Sequence, residues 1–170
     1  METKVLISKR IRLRTIQQDD VDIIFDLRSN PEVQKFIDRD PYSRIEEAQV
    51  QVKKVMRLMQ SCESLVWIIL LEATDTKIGS ICLWNFNEDR TTAEVGYDLL
   101  PAYHCHGYMT EALQLVMDYA QRALNVECLE AFTSQFNTAS KALLLKNGFV
   151  LDKDRKDEGF PDNRVYLNRF

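Results

Sequence analysis

The chain has 170 residues, 45% of them apolar and 28% charged, with a formal net charge of −4 and a pI of about 5.3. These values describe one ordinary globular domain, 1–170, large enough to bury a core without disulfides or metal. They exclude a broad nucleic-acid footprint, which needs clustered positive charge, and the slight acidic excess suits an amine-bearing partner. The longest apolar run, Leu65–Leu71, is far short of the ~20 residues of a membrane-spanning helix. The opening METKVLISKRIRLR interleaves charge with apolar residues and has no signal-peptide core. Cys62, Cys82, Cys105 and Cys128 form no C-x-x-C pair, a pattern of reduced thiols in a cytoplasmic protein.

In chain order, residues 4–14 come first. Ile7, Ile11 and Leu13 alternate with Lys9, Arg10, Arg12 and Arg14, predicting one half-buried strand whose arginines face solvent. Asp19 or Asp20 starts a helix carrying Val21, Ile24, Phe25 and Leu27, which Asn30-Pro31 stops before a further short helical turn over 32–37. Ser43 and Glu46 have the spacing of a capping box. Ile45, Ala48, Val52, Val55, Met56 and Met59 then repeat at helical spacing to about residue 61. Strands over 66–71, 78–86 and 93–100 follow with short polar connections, the mark of antiparallel neighbours. After a loop from Pro101 to His106, a second long helix starts near Gly107, with Met109, Leu113, Val116, Ala120 and Ala123 as its apolar stripe. A strand over 128–136, a short helix over 138–147 closed by Gly148, and strands over 149–153 and 164–170 complete the chain. This order predicts an α/β (α+β) architecture: a mixed, mostly antiparallel sheet with helices on both faces.

The segment from Ala93 to Ala112 carries the most chemistry. A strand ends, a loop turns, and a helix begins at Gly107. The first helical turn leaves backbone N–H groups without intrahelical partners, and the helix dipole adds positive potential, so the junction suits a phosphate or pyrophosphate. His104 and His106 add possible donors. The bland alternative is an ordinary strand-to-helix connection.

At this point the sequence resembles a family. Gly96-Tyr97-Asp98-Leu99-Leu100-Pro101 followed by His104-Cys105-His106-Gly107-Tyr108-Met109-Thr110-Glu111-Ala112 is similar to the acetyl-CoA-binding motif of the GNAT N-acetyltransferases, in their RimJ/RimL-like branch. A second block, Asn137 to Phe149, resembles the same branch, with a helix and a strand between the two as the family arranges them. Arg10–Arg14 and Ile78-Gly-Ser-Ile81 fit more weakly. Three positions depart from the pattern: His104 replaces Arg or Gln, Cys105 replaces a frequent glycine, and Leu144 stands where many members carry a tyrosine that protonates the leaving thiolate.

The resemblance implies a GNAT fold splayed between the fourth and fifth strands, 93–100 and 128–136. It implies that acetyl-CoA lies in that gap, with its pantetheine arm bonded to the main chain of Leu99 and Leu100. A backbone N–H near Asp98 or Leu99 would polarise the acetyl carbonyl. His104, Cys105, His106, Gly107, Tyr108, Met109 and Thr110 would hold the pyrophosphate. Glu94 is the leading general base, through a water, if burial raises its pKa; Asp98, two residues on, is the rival, and bulk water a third possibility. Ser140 could donate to the CoA sulfur in place of the missing tyrosine, or only cap backbone. Asn137 could bind pantetheine amides, or only form an Asx turn. Trp67, Trp84, Phe86 and Tyr97 read as core or pocket wall. His104 and His106 do not by themselves make a metal site, as the chain has no further His, and a nucleophilic Cys105 is not needed, because the amine attacks directly. The branch suggests a protein N-terminal amine as acceptor, for example of a ribosomal protein, with small amines as the alternative and a non-catalytic acyl-CoA-binding module as a third reading. It also suggests a homodimer.

Overall fold

The computed structural model describes residues 5–170; expectations for residues 1–4 lie outside the described residues. The elements run β1 (Leu6–Ile7), β2 (Ile11–Thr15), α1 (Val21–Ser29), α2 (Pro31–Gln34), α3 (Ile45–Gln60), β3 (Leu65–Leu71), β4 (Lys77–Trp84) and β5 (Thr92–Leu99). A single 3-10 turn, Pro101–Tyr103, leads into α4 (Tyr108–Leu124), followed by β6 (Cys128–Ser134), α5 (Thr138–Lys146), β7 (Val150–Asp152) and β8 (Asn163–Arg169). The strands form one sheet in the order β1-β2-β3-β4-β5-β6-β8-β7. Every neighbouring pair is antiparallel except β5–β6, which is parallel. The mixed, mostly antiparallel sheet read from the sequence is the one observed.

Each sheet face is sealed by the apolar stripe of a long helix. On one face Ile11, Leu13, Trp67, Ile69, Ile81, Leu83 and Val95 pack with Leu113, Val116 and Ala120 of α4 and Leu144 of α5. On the other, Ile68 and Leu70 of β3 meet Ile24 and Leu27 of α1 and Ala48 and Val52 of α3. Burying each of the larger aliphatic side chains contributes about 1.5–3 kcal/mol relative to exposure. The α4 stripe holds as predicted except at Ala123, which is exposed; Ala112 is buried in the same core.

Two local expectations are corrected. The first strand is a hairpin broken at Lys9-Arg10, because the Ser8 N–H and hydroxyl both donate to the Ile11 carbonyl, at 2.9 and 3.2 Å. Ile7 is consequently 60% exposed, while Ile11 and Leu13 are fully buried. The N-terminus of α3 is one residue later than Ser43 and Glu46 implied. Arg44 is the last extended residue, and the Glu47 carboxylate accepts from the Ser43 and Arg44 N–H groups at 2.9 and 2.8 Å.

Asp20 ties β2, β4 and α1 together. Its fully buried carboxylate takes two guanidinium bonds from Arg14 at 2.8 and 2.9 Å, the Lys77 ammonium at 2.7 Å and the Gln17 N–H at 2.7 Å. Desolvation alone would raise its pKa, but the bonds from Arg14, Lys77 and Gln17 outweigh it and hold the pKa below the usual carboxylate value. Gly79 then sets the fit of β4 to β5: a Cβ there would collide with the Asp98 carbonyl and lie 2.9 Å from the Leu99 side chain.

Removing one partner of a buried ion network leaves the others uncompensated. Asp20→Asn is therefore expected to cost about 3 kcal/mol at pH 7, read as a lower urea midpoint. Because the folded pKa is depressed, the difference should persist above about pH 4 and disappear as pH falls through the folded value. An unchanged midpoint at pH 7 would remove Asp20 from this role.

Candidate active site

The site begins where the sheet comes apart. The parallel β5–β6 ladder consists of Thr92↔Cys128, Ala93↔Leu129 and Glu94↔Glu130. Beyond Glu94, β5 stays with β4 as far as Leu99↔Gly79, whereas β6 follows β8 as far as Ser134↔Asn163. A wedge opens between two strands of one sheet.

The main-chain direction along β5 follows from its paired groups. The Leu100 N–H donates to the Ile78 carbonyl at 2.9 Å, and the Thr91 carbonyl accepts from Glu127 and Cys128 at 2.7 and 3.1 Å. Antiparallel pairs alternate in their bonding, so Glu94, Gly96, Asp98 and Leu100 turn their peptide groups to β4. Val95, Tyr97 and Leu99 turn theirs the other way: the Val95 N–H completes the last bridge to Glu130, and from the Val95 carbonyl onward these groups face the wedge. Such an edge can accept an extended partner by strand addition. Leu99 lies on the wedge side, although its carbonyl is taken by the His104 ring at 2.8 Å. Leu100 does not: its N–H is committed to β4.

Glu94, Gly96 and Asp98 share one sheet face, opposite Trp84, Cys82 and Ser80 respectively. The two candidate bases sit in different surroundings. Glu94 is half-buried at the apex of the wedge, and its carboxyl pKa is pushed up to about 7. Loss of water is the chief cause, a bond from Asn85 at 3.5 Å opposes it, and the charges of Asp157 and Glu130 add to it. Asp98, 12% exposed, is paired with the Arg28 guanidinium at 3.6 Å. Burial pushes the Cys82 thiol between them up to about 12, which keeps it protonated and unreactive near neutral pH.

Across the wedge, Asn137 caps α5, its side-chain oxygen accepting from the Ser140 N–H at 3.0 Å. The Ser140 hydroxyl, on a buried side chain, lies 2.9 Å from the Tyr97 hydroxyl. Alternation along the strand could not reveal this contact between β5 and α5. Leu144, one helical turn after Ser140 in α5, is fully buried in the core.

At the mouth, Cys105 and Gly107 both have left-handed backbone, φ 61° and 82°, and the first helical bond of α4 runs from Glu111 N–H to Gly107 C=O at 3.1 Å. The N–H groups of Tyr108, Met109 and Thr110 precede it, as in any first turn. His106 bonds through Nδ1 to the His104 carbonyl at 2.6 Å and stacks on Tyr108 at 5.9 Å. The Met109 side chain points into the core. Sequence reasoning missed Arg10. From the β1–β2 turn it reaches over the Tyr108 ring at 4.8 Å, pairs with Glu111, and comes within 3.2 Å of where a Cβ on Gly107 would stand. Nothing in local spacing links the first hairpin to this loop. Among the described residues no three His, Cys, Asp or Glu side chains group as metal ligands, and no helix is long and apolar enough to cross a membrane.

A carboxyl group held near 7 when folded and near 4.5 when free destabilises the fold once both states ionise. Glu94→Gln is expected to raise the melting temperature at pH 8, with the gain shrinking below pH 7 and vanishing below about pH 4. An equal melting temperature at pH 8 would show that the carboxylate is solvated.

Comparisons with known proteins converge on one family and fold. Residues 10–150 match the model of the acetyltransferase (GNAT) domain family. An uncharacterized N-acetyltransferase p20 of Bacillus licheniformis is 30% identical, the alignment covering 91% of this chain and 89% of that protein. The spermidine N(1)-acetyltransferase of Escherichia coli strain K12 is 24% identical, with coverage of 88% and 78%. The structure of RimL ribosomal L7/L12 alpha-N-protein acetyltransferase in complex with coenzyme A superposes with a TM-score of 0.85 at 20% identity, covering 98% of each chain. The chain belongs to the GNAT acetyltransferase family and is an N-acetyltransferase.

Proposed function

We propose that this enzyme transfers the acetyl group of acetyl-CoA to a primary amine by direct attack in a ternary complex, and that the acceptor is a protein N-terminal amine such as that of a ribosomal protein. The observation that carries the reading is the β5–β6 ladder ending at Glu94. It places an open main-chain edge, a carboxyl group with a pKa of about 7 and a buried serine hydroxyl around one wedge.

The residues present fit acetyl-CoA. Wedge-facing peptide groups of Val95, Tyr97 and Leu99 suit the amides of a pantetheine arm. The left-handed loop through Cys105 and Gly107 delivers the α4 N-terminus to a pyrophosphate, with His104, His106, Tyr108 and Thr110 around it. Acetyl-CoA supplies an activated thioester, and the chain supplies position and proton handling. Glu94, through a water, removes a proton from the ammonium group so that the neutral amine attacks. A wedge-facing N–H near Leu99 polarises the carbonyl, and Ser140 donates to the sulfur as it departs. Asn137 holds the first turn of α5, and with it Ser140, in place. Arg28 occupies Asp98, leaving Glu94 as the base.

The likeness to the RimL enzyme supports the protein acceptor. A second reading, a polyamine acceptor, is favoured by the negative charge of Asp157 acting on Glu94 and by the spermidine acetyltransferase relative.

Incubation with radiolabelled acetyl-CoA and a cell extract separates the two. Label on protein α-amines is expected; label confined to small amines would favour the second reading, and no transfer to any amine would overturn both. The rate should rise with pH to a plateau above about 7, since the base works ionised, and Glu94→Gln should lower kcat/KM by about 10²-fold or more and abolish that limb. Gly107→Val places a β-branched residue at φ 82°. It should weaken acetyl-CoA binding about tenfold in a calorimetric titration while the fold persists. Unchanged affinity would move the pyrophosphate elsewhere.

A further inference from the structure

The contact between Tyr97 and Ser140 has no counterpart in the sequence motifs. Tyr97 projects from β5 and Ser140 from the first turn of α5, so their 2.9 Å bond spans the wedge. It is the one hydrogen bond made by the Ser140 hydroxyl among the described residues. The bond to Tyr97 therefore selects the rotamer that carries the Ser140 oxygen towards β5.

Direction follows from acidity. A phenol is far more acidic than an aliphatic alcohol, so the stronger arrangement has Tyr97 donating and Ser140 accepting. Burial pushes the Tyr97 pKa up to about 12, so its proton stays in place across the working pH range. The serine proton is then left uncommitted beside the wedge-facing edge of β5. A hydroxyl that accepts one bond is also a better donor in the next, through mutual polarisation.

We propose that Tyr97 is a positioning residue for the leaving group: its hydroxyl, bonded to Ser140, aims the serine proton at the sulfur of coenzyme A, so that thiolate stabilisation depends on both hydroxyls. Tyr97 does not itself touch the reacting atoms. This rests on the reading that acetyl-CoA occupies the wedge with its sulfur beside Ser140. The geometry makes Tyr97→Phe nearly neutral for shape, and the ring remains packed against the core.

The test needs no acceptor. The thiol pKa of enzyme-bound CoA is measured from thiolate absorbance, with the desulfo-CoA complex subtracting the four cysteines of the chain. Dissociation constants come from calorimetry, and the melting temperature of each variant confirms folding. On the wild-type enzyme the thiol pKa should fall below that of free CoA. Ser140→Ala should raise it by about one unit, the scale of a bond to a charged group. Tyr97→Phe should raise it by a similar amount with CoA affinity within about threefold, and the double variant should be no worse than Ser140→Ala. A raised value in Ser140→Ala with an unchanged one in Tyr97→Phe would overturn the role of Tyr97 and leave that of Ser140. Additive shifts in the double variant would also overturn it, because Tyr97 would then act without Ser140. Equal values in all variants would remove both hydroxyls from the sulfur. Failure of the wild-type enzyme to bind CoA would instead defeat the function proposed above.

Discussion

The rest of the structure depends on a ladder that stops early. Two parallel strands in a sheet normally keep their register until one of them ends, because every broken bond leaves an N–H or C=O unsatisfied. Here β5 and β6 part after Glu94 while both continue with their other neighbours. The cost is a set of wedge-facing groups without a strand partner: the Val95 carbonyl, the Tyr97 N–H and carbonyl, and the Leu99 N–H. An edge of that kind can take an extended, amide-bearing chain as though it were another strand. The divergence also brings α5 opposite β5, so groups from distant parts of the chain converge there.

Holding the wedge open requires both walls to be stiff. On the β5 side, Gly79 lets β4 lie tightly against Asp98 and Leu99, and the Asp20 network fastens β4 to β2 and α1 through Lys77 and Arg14. On the other side, β6 is clamped by seven paired positions along β8. The core under α4 is continuous beneath both walls, with Val95 and Leu129 in one cluster. The wedge is therefore an opening between two well-paired halves of one sheet that share a single core.

Electrostatics then separates two carboxylates of similar sequence context. Glu94 and Asp98 lie on the same strand and face, yet Arg28 neutralises one while partial burial and nearby negative charges make the other basic. In the function proposed above a base must be ionised near neutral pH but only just, and a carboxyl group with a pKa of about 7 suits that task. The hydroxyl pair of Tyr97 and Ser140 is a further case of local chemistry set by a non-local contact. The same holds at the mouth, where the His104 ring is engaged by the Leu99 carbonyl and Arg10 arrives from the first hairpin.

Much of this was legible in the chain. Period-two and helical spacing marked the strands and both long helices to within a residue or two, because each element must present an apolar stripe to the sheet core. The loop before Gly107 and the blocks through Gly96 and Asn137 carried the family resemblance, and they name most of the residues around the wedge. Local errors arose where short-range bonds compete: Ser8 closed a turn inside a promising alternation, and Glu47 capped α3 in place of Glu46. What only the tertiary structure decided are the relations between elements: Arg28 on Asp98, Arg10 over Tyr108, Tyr97 against Ser140, and peptide groups of Leu99 and Leu100 facing opposite ways. Sequence pattern reports which face of an element is buried, because burial repeats with the backbone period. It carries no such signal for which two side chains meet across a gap, since that is set by how separate elements pack.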